Sequence, residues 1–448
     1  MTTHPSNADE LIALVEQHQI KYIDLQFIDV VGVVKNITIP AADLPTALQN
    51  GIWFDGSSIE AYARVAESDM HLCPDINTFA VIPWLHGEEA TARLICDVFT
   101  PDNQPFMGDP RAVLKNVLSE AAEMGLAFNT GPELEFFLFK PNADGNLLPL
   151  HPDDRGSYFD APFDQSAGLS RHMASALASF GIQVEAMHHE LAAGQHEIDF
   201  RYANALTTAD NIVTFRVALK VIAQMHNLFA SFLPKPIKGI AGSGMHVHQS
   251  LTYAATDKNA FHDPGDHYGL STLAKQFIAG QLAHARGMSA ILAPLVNSYK
   301  RLYSGYEAPI YLTWARINRS ALIRIPRATK PEAVRLEIRC PDPSCNPYLA
   351  FAVLLATGLD GIKRNLPIPD ATEENPYLPG VAPVRQARSE YLPESLNRAL
   401  DAFEEDEVIK HALGPVISDR FLNAKRLEWQ EYRLEVTQWE LEKYLSIY

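Results

Sequence analysis

Gly131-Pro132-Glu133-Leu134-Glu135-Phe136-Phe137-Leu138-Phe139 is the stretch on which the reading of this chain turns. The aromatic and apolar run that ends it predicts a strand over Pro132 to Lys140. Side chains two apart on a strand point to the same face. Glu133 and Glu135 therefore project together into one cavity. A lone glutamate is normally solvated or ion-paired. Two like charges this close, beside phenylalanines, need a cation.

Two further stretches extend the pattern. His188-His189-Glu190-Leu191-Ala192-Ala193-Gly194-Gln195-His196-Glu197 carries two more acids. Their spacing of seven sets them on opposite faces of one straight strand. The Ala192 to Gln195 segment has turn character, and a hairpin there brings both acids to one side. Gly242-Ser243-Gly244-Met245-His246-Val247-His248 adds a histidine. Oxygen-rich ligation with one imidazole points to Mg²⁺ or Mn²⁺ rather than zinc.

Arginines follow in sequence. Arg301 and Glu307 lie in a turn-rich loop, Arg319 and Arg324 come next, and Arg335-Leu336-Glu337-Ile338-Arg339 repeats the two-apart spacing with an acid and a cation. Cation-binding acids beside phosphate-binding arginines are what phosphoryl transfer requires, because its catalysis is mainly positioning and charge neutralisation. The chain has no Gly-x-x-x-x-Gly-Lys-Ser/Thr loop, so it is not a P-loop enzyme, and no Gly-x-Gly-x-x-Gly after a strand, which counts against a Rossmann dehydrogenase.

The chain has 448 residues, room for two or three domains and a large core. Its net charge of −17, from 37 basic and 54 acidic residues, argues against general nucleic-acid binding. Cys73, Cys96, Cys340 and Cys345 lack paired zinc spacing and read as reduced cytosolic thiols. No signal peptide and no apolar run of membrane-spanning length is expected, so the expected location is cytoplasmic.

Along the chain, an Asp9-capped helix opens residues 1–20, and Tyr22 to Ile39, broken by Gly32, reads as a hairpin. Ile76 to Pro83 and Thr91 to Val98 read as strands of a small β-rich unit. Thr100 to Pro110 is the turn-rich boundary, placing the units at 1–107 and 108–448. Beyond it, helices are expected over Arg111 to Met124, Ser170 to Phe180, Thr207 to Phe232, Leu273 to Leu292, from Pro347, and over Arg420 to Lys443. Strands are expected near Ile323 and over Arg335 to Arg339.

These motifs, with Phe54-Asp55-Gly56-Ser57-Ser58-Ile59 and the late Glu428-Trp429 and Trp439-Glu440, resemble glutamine synthetases of the bacterial and archaeal type I class, in its alpha-like subclass. The resemblance implies an α+β fold, with a small β-grasp N-terminal domain and a larger catalytic domain holding a curved antiparallel sheet flanked by helices. It implies ATP-dependent ligation of ammonia to the γ-carboxylate of glutamate, in a dodecamer of two hexameric rings with active sites between subunits. One metal site would be Glu135, Glu190 and Glu197, the other Glu133, His246 and Glu337, with a third cation arriving with ATP. Arg319, Arg324 and Arg339 would surround the phosphates and the γ-carboxyl group. Arg301 and Gly242 would hold glutamate, His248 and Ser250 the nucleotide, and Glu307 would close over the intermediate. Asp55, Ser58, Tyr158, Glu190 and Glu307 would cage ammonium, with Asp55 as the base. Arg64 resembles an arginine linked to glutamine feedback, while the segment around Tyr377 lacks the acidic residues of an adenylylation site.

Two stretches depart from the family pattern. Ala241 stands where Asn usually precedes Gly-Ser-Gly-Met-His, and Tyr303-Ser304 stands where Val-Pro is usual. Losing the Asn contact costs about 1–3 kcal/mol where its partner is left unpaired, and serine frees a loop that proline stiffens. Both leave room for a γ-glutamyl–amine ligase of the same fold. A third reading, an inactive regulatory member, conflicts with retention of all six metal-type positions, since buried acids are costly without cations. The retained ammonium cage favours the ammonia ligase.

Overall fold

The computed structural model describes residues 5–58, 69–160, 165–303, 308–373 and 391–448. Arg64, Ser304, Glu307 and Tyr377 lie outside the described residues.

The chain opens with α1 (Ala8–Gln17), capped by Asn7 rather than by Asp9: the Asn7 side chain accepts the Glu10 N–H. The alternating segment after it forms the expected hairpin of β1 (Tyr22–Ile28) and β2 (Val34–Pro40), turned at Gly32 with φ of 92°. Then come α2 (Leu44–Asn50), β3 (Ile52–Asp55), β4 (Asp69–Pro74), β5 (Ala80–Val81) and β6 (Thr91–Phe99). The strand expected over Ile76 to Pro83 shrinks to two residues. Asp75 caps a 3₁₀ turn there by accepting the Asn77 N–H, a local bond that competes with the ladder. Among the described residues the sheet runs β2-β1-β6-β4-β3, with β1 and β6 parallel. This is the β-grasp unit.

After it come α3 (Pro110–Glu123), β7 (Leu126–Lys140), β8 (His151–Pro152), α4 (Gln165–Ser179), β9 (Val184–His189), β10 (Gln195–Phe200), β11 (Ala203–Asn204), α5 (Ala205–Met225), β12 (Phe229–Ser231) and β13 (Met245–Tyr253). The helix expected to reach Phe232 stops at Met225, because Asn227 takes φ of 55° and the chain re-enters the sheet as β12. Next are α6 (Thr272–Leu292), α7 (Ser298–Arg301), β14 (Tyr311–Ala315), β15 (Ala321–Arg324), β16 (Leu336–Ile338), α8 (Pro347–Lys363), α9 (Leu396–Glu405), α10 (Glu407–Leu434, kinked at Gly414–Pro415) and α11 (Gln438–Tyr444). The C-terminal helical run thus starts earlier than expected and breaks in two.

Among the described residues the large sheet runs β14-β15-β16-β13-β7-β10-β9, with β8, β11 and β12 also pairing β7, and is antiparallel except for the β14–β15 edge pair. Its spine is β7, fifteen residues long and paired with β10 on one side and β13 on the other. Helix α8 is mostly apolar and buries most of its length, from Pro347 to Leu355 and again at Thr357 to Leu359 and Gly361. It meets α6 through glycines: a Cβ on Gly361 would stand 2.1 Å from the Gln276 carbonyl oxygen, and one on Gly280 2.1 Å from that of Thr357.

Candidate active site

The two-apart rule places the acids as expected. Antiparallel pairing aligns Asp199 with Glu133 and Glu197 with Glu135, and aligns His246 with Glu133 from the other side. The 190–197 segment is the expected hairpin: β9 ends at His189, Gly194 turns the chain with φ of 69°, and the Glu190 N–H donates to the Gln195 carbonyl at 2.7 Å.

These side chains line a cavity of about 600 Å³ together with Tyr158, His188, Lys235, Ala241, Gly242, Arg301, Arg319, Arg324 and Arg339. Glu133, His246 and Glu337 bring ligand atoms within 4.8 Å of one another, and so do His188, Glu190 and Glu197. His246 Nδ1 is 3.0 Å from Glu133 and 3.7 Å from Glu337. Burial, then the Arg339 charge, lowers the His246 pKa and favours a neutral imidazole that can ligate. Glu135 stands opposite Glu197, with its Oε2 held by Gln195 at 2.9 Å and by the Gly244 N–H at 3.0 Å. Burial and the neighbouring acid Glu135 push the Glu197 carboxyl up to about 11 and that of Glu190 to about 7. Glu133 moves the other way: burial opposes its charge, but hydrogen bonds from His246 and His248 hold it well below the usual carboxylate range. Clustered, buried, mutually repelling carboxylates with an imidazole are a donor set that fits divalent cations.

The arginines close the cavity. Glu337 is wholly buried and pairs with Arg324 at 2.7 Å and with Arg339. Arg301 donates to the carbonyls of Cys340, Pro341 and Arg339 at 3.0 to 3.2 Å. Gly242 and Gly244 make room for this: a Cβ on Gly244 would stand 2.4 Å from Arg301 Nη2, and one on Gly242 2.3 Å from the Pro234 carbonyl. A second cavity of about 340 Å³ adjoins, lined by Gly131, Tyr202, His248, Ser250 and Arg335 among others. Glu133 and Asp199 face both cavities.

Asp55 does not line the chain's own cavity. It ends β3 in the β-grasp unit, where its Oδ1 accepts from the Ser57 N–H at 2.9 Å and hydroxyl at 2.6 Å, and Ser58 closes the short turn that follows. Sequence reading assigned no role to Asp199, His188, Lys235 or Arg335. Asp199 was within reach, two residues beyond Glu197 on the same strand. His188 enters through its cross-strand pairing with Glu197, which one strand read alone does not reveal.

Comparison with known proteins decides the family. The model described as the glutamine synthetase catalytic domain matches residues 107–444, and that of the glutamine synthetase beta-grasp domain matches residues 19–101. The chain belongs to the glutamine synthetase family. It is 50% identical over 444 residues to the glutamine synthetase of Thermus thermophilus and 49% identical over 441 residues to that of Clostridium saccharobutylicum, covering 98% of this chain and 99% of each relative. A solved structure described as apo GmaS without ligand superposes with a TM-score of 0.86 at 33% identity, over 97% of this chain and 99% of the other. The glutamine synthetase catalytic match contains both cavities, and the beta-grasp match contains Asp55.

Proposed function

We propose that this chain is a glutamate–ammonia ligase of the type I, alpha-like class, making L-glutamine, ADP and phosphate from L-glutamate, ammonium and ATP. The observation that carries this is the double row of carboxylates and histidines on β7, β10 and β13, facing four arginines across one cavity. Glu133, His246 and Glu337 would hold one divalent cation, and Glu135, Glu190 and Glu197 another, with His188 beside the second. Mg²⁺ and Mn²⁺ both suit these donors. Such cations supply charge neutralisation as two anions meet.

The residues divide the work. Arg301 and Gly242 position glutamate, while His248 and Ser250 line the nucleotide side. Arg319, Arg324 and Arg339 offset charge while a γ-carboxylate oxygen attacks the terminal phosphorus and ADP leaves. Ammonium gives a proton to Asp55, its nitrogen attacks the acyl carbon, and phosphate leaves. Tyr158 and Glu190 face the ammonium, and Glu307 excludes water. Asp55 stands outside its own chain's cavity, which supports sites between subunits, and the resemblance to type I members implies that the assembly is a dodecamer of two hexameric rings. The domain division falls at 107/108, the location is cytoplasmic, Arg64 serves glutamine feedback, and Tyr377 is not adenylylated.

Phosphate release from ATP with Mg²⁺ and glutamate tests the reading. Release that requires ammonium and yields glutamine is expected. Ala241 lines the cavity and favours the second reading, a γ-glutamyl–amine ligase. Release only with ethanolamine or putrescine would establish that reading, and no release with any acceptor, despite bound metal and ATP, would favour the inactive reading or a missing activator.

A further inference from the structure

The hairpin that carries Glu190 and Glu197 has a second face. Strand alternation turns His189 and His196 away from the cavity, toward Asp153 and Asp154 on the loop before Tyr158. The two imidazole rings lie 4.9 Å apart. His189 Nδ1 is 2.6 Å from the Glu190 carbonyl oxygen, which can only accept, so the ring proton sits on Nδ1. Its Nε2 faces Asp154 Oδ1 at 2.8 Å. Two lone pairs meet there unless something positive lies between them.

The other half of the cluster is unmatched. Asp153 Oδ1 and His196 Nε2 are buried and have no hydrogen-bond partner. Their side chains are only 5% and 7% exposed, and the two atoms face each other at 3.6 Å, too far for a hydrogen bond. His196 Nε2 is also 4.0 Å from Asp154 Oδ2. Ligand atoms about 2.1 Å from a tetrahedral ion stand about 3.4 Å apart, so these separations need only small adjustments to admit one. Glycines keep the space clear: a Cβ on Gly156 would be 2.9 Å from the His189 ring, and one on Gly194 3.1 Å from Asp153 Oδ1.

We propose that Asp153, Asp154, His189 and His196 form a structural zinc-class site, separate from the cations of the reaction. Two imidazoles and two carboxylates select a borderline transition metal over Mg²⁺ and leave the site neutral. The Nδ1 bond to a backbone carbonyl is the usual support of a metal-bound histidine. Such an ion fastens the β9–β10 hairpin to the Tyr158 loop, where the Phe159 N–H already donates to the His189 carbonyl at 3.2 Å.

The test is zinc content of the full-length protein after chelator stripping, reloading with Zn²⁺ and exchange against excess Mg²⁺. One equivalent per chain should survive exchange. It should persist in Glu133→Gln/Glu197→Gln and be lost in Asp153→Asn and His196→Asn. Loss of all zinc on exchange, or zinc that follows the Glu133/Glu197 pair instead of Asp153, would overturn the site and leave an imidazolium–carboxylate cluster. Should Asp153→Asn fail to fold, Co²⁺ in the Glu133→Gln/Glu197→Gln protein decides. The intense visible bands of a tetrahedral ion support the site, and the weak bands of an octahedral ion refute it.

Discussion

Glu337 shows how a fully buried acid is tolerated at the centre of this site. Two guanidinium groups hold it, and burial, which opposes its charge, is outweighed first by Arg339 and then by His246. Replacing Arg339 with methionine leaves one arginine and an undercompensated buried charge. Removing one partner of a buried ion pair typically costs about 3–5 kcal/mol, so the urea midpoint of Arg339→Met should fall well below that of the parent, and Mn²⁺ should restore part of the loss. Asp199 makes a different case. It faces both cavities and carries a carboxyl raised to about 6, by burial and then by Glu133. Asp199→Asn should raise the KM for Mg-ATP by about tenfold, equivalent to ~1.4 kcal/mol, with the KM for glutamate little changed; equal effects on both would place Asp199 with the glutamate half. The paired acids of β7 were legible because a period of two needs only one strand. Asp199 obeys the same rule, two residues beyond Glu197 on β10, and was passed over because the period of two was applied to β7 and not carried along β10.

Strands and helices were legible where one face repeats, and less so where a local bond or a positive φ ends the repeat. The end of α5 at Met225 and the 3₁₀ turn after Asp75 are of that kind. Tertiary clamps between helices were not legible at all. His284 on α6 bridges Asp406 Oδ2 at 2.7 Å and Asp360 Oδ2 at 3.0 Å, tying together α6, α8 and the start of α10. Burial works against its charge, yet the bonds to Asp406 and Asp360 raise its pKa above the ordinary value near 6.5. A raised folded-state pKa gives stability that is complete below the unfolded value and lost as pH climbs through the folded one. The stability difference between the parent and His284→Gln should therefore be largest below the ordinary histidine pKa of about 6.5 and shrink as pH rises above it in urea titrations. A difference that grows with pH would refute the clamp. Where α6 and α8 touch, Gly361→Ala should lower stability by about 1–3 kcal/mol through overpacking, because the added methyl meets backbone rather than a side chain that can move.

At the scale of the whole molecule, the sequence marked the β-grasp and catalytic units by their motifs but not the joint between them. Arg111 lies within that joint, and its guanidinium reaches Asp75 at 2.8 Å and Asp97 at 2.6 Å in the β-grasp unit and Asp210 at 3.0 Å on α5. It ties together two units, with Asp55 on the first and the cavity on the second. If the neighbouring subunit supplies Asp55, two inactive variants should rescue each other. Asp55→Asn keeps a working cavity, while Glu197→Gln keeps a working Asp55. Each alone should form an inactive assembly. Co-expressed in equal amounts and mixed at random around a ring, they place an intact Asp55 against an intact cavity at about a quarter of the interfaces. Hybrids should then regain about a quarter of the parent's ammonia-dependent turnover, a value set by counting and independent of how severely either variant is impaired. If each chain instead completes its own site, no interface in any hybrid holds both groups. Hybrids shown by mass spectrometry to contain both chains would then stay as inactive as their parents.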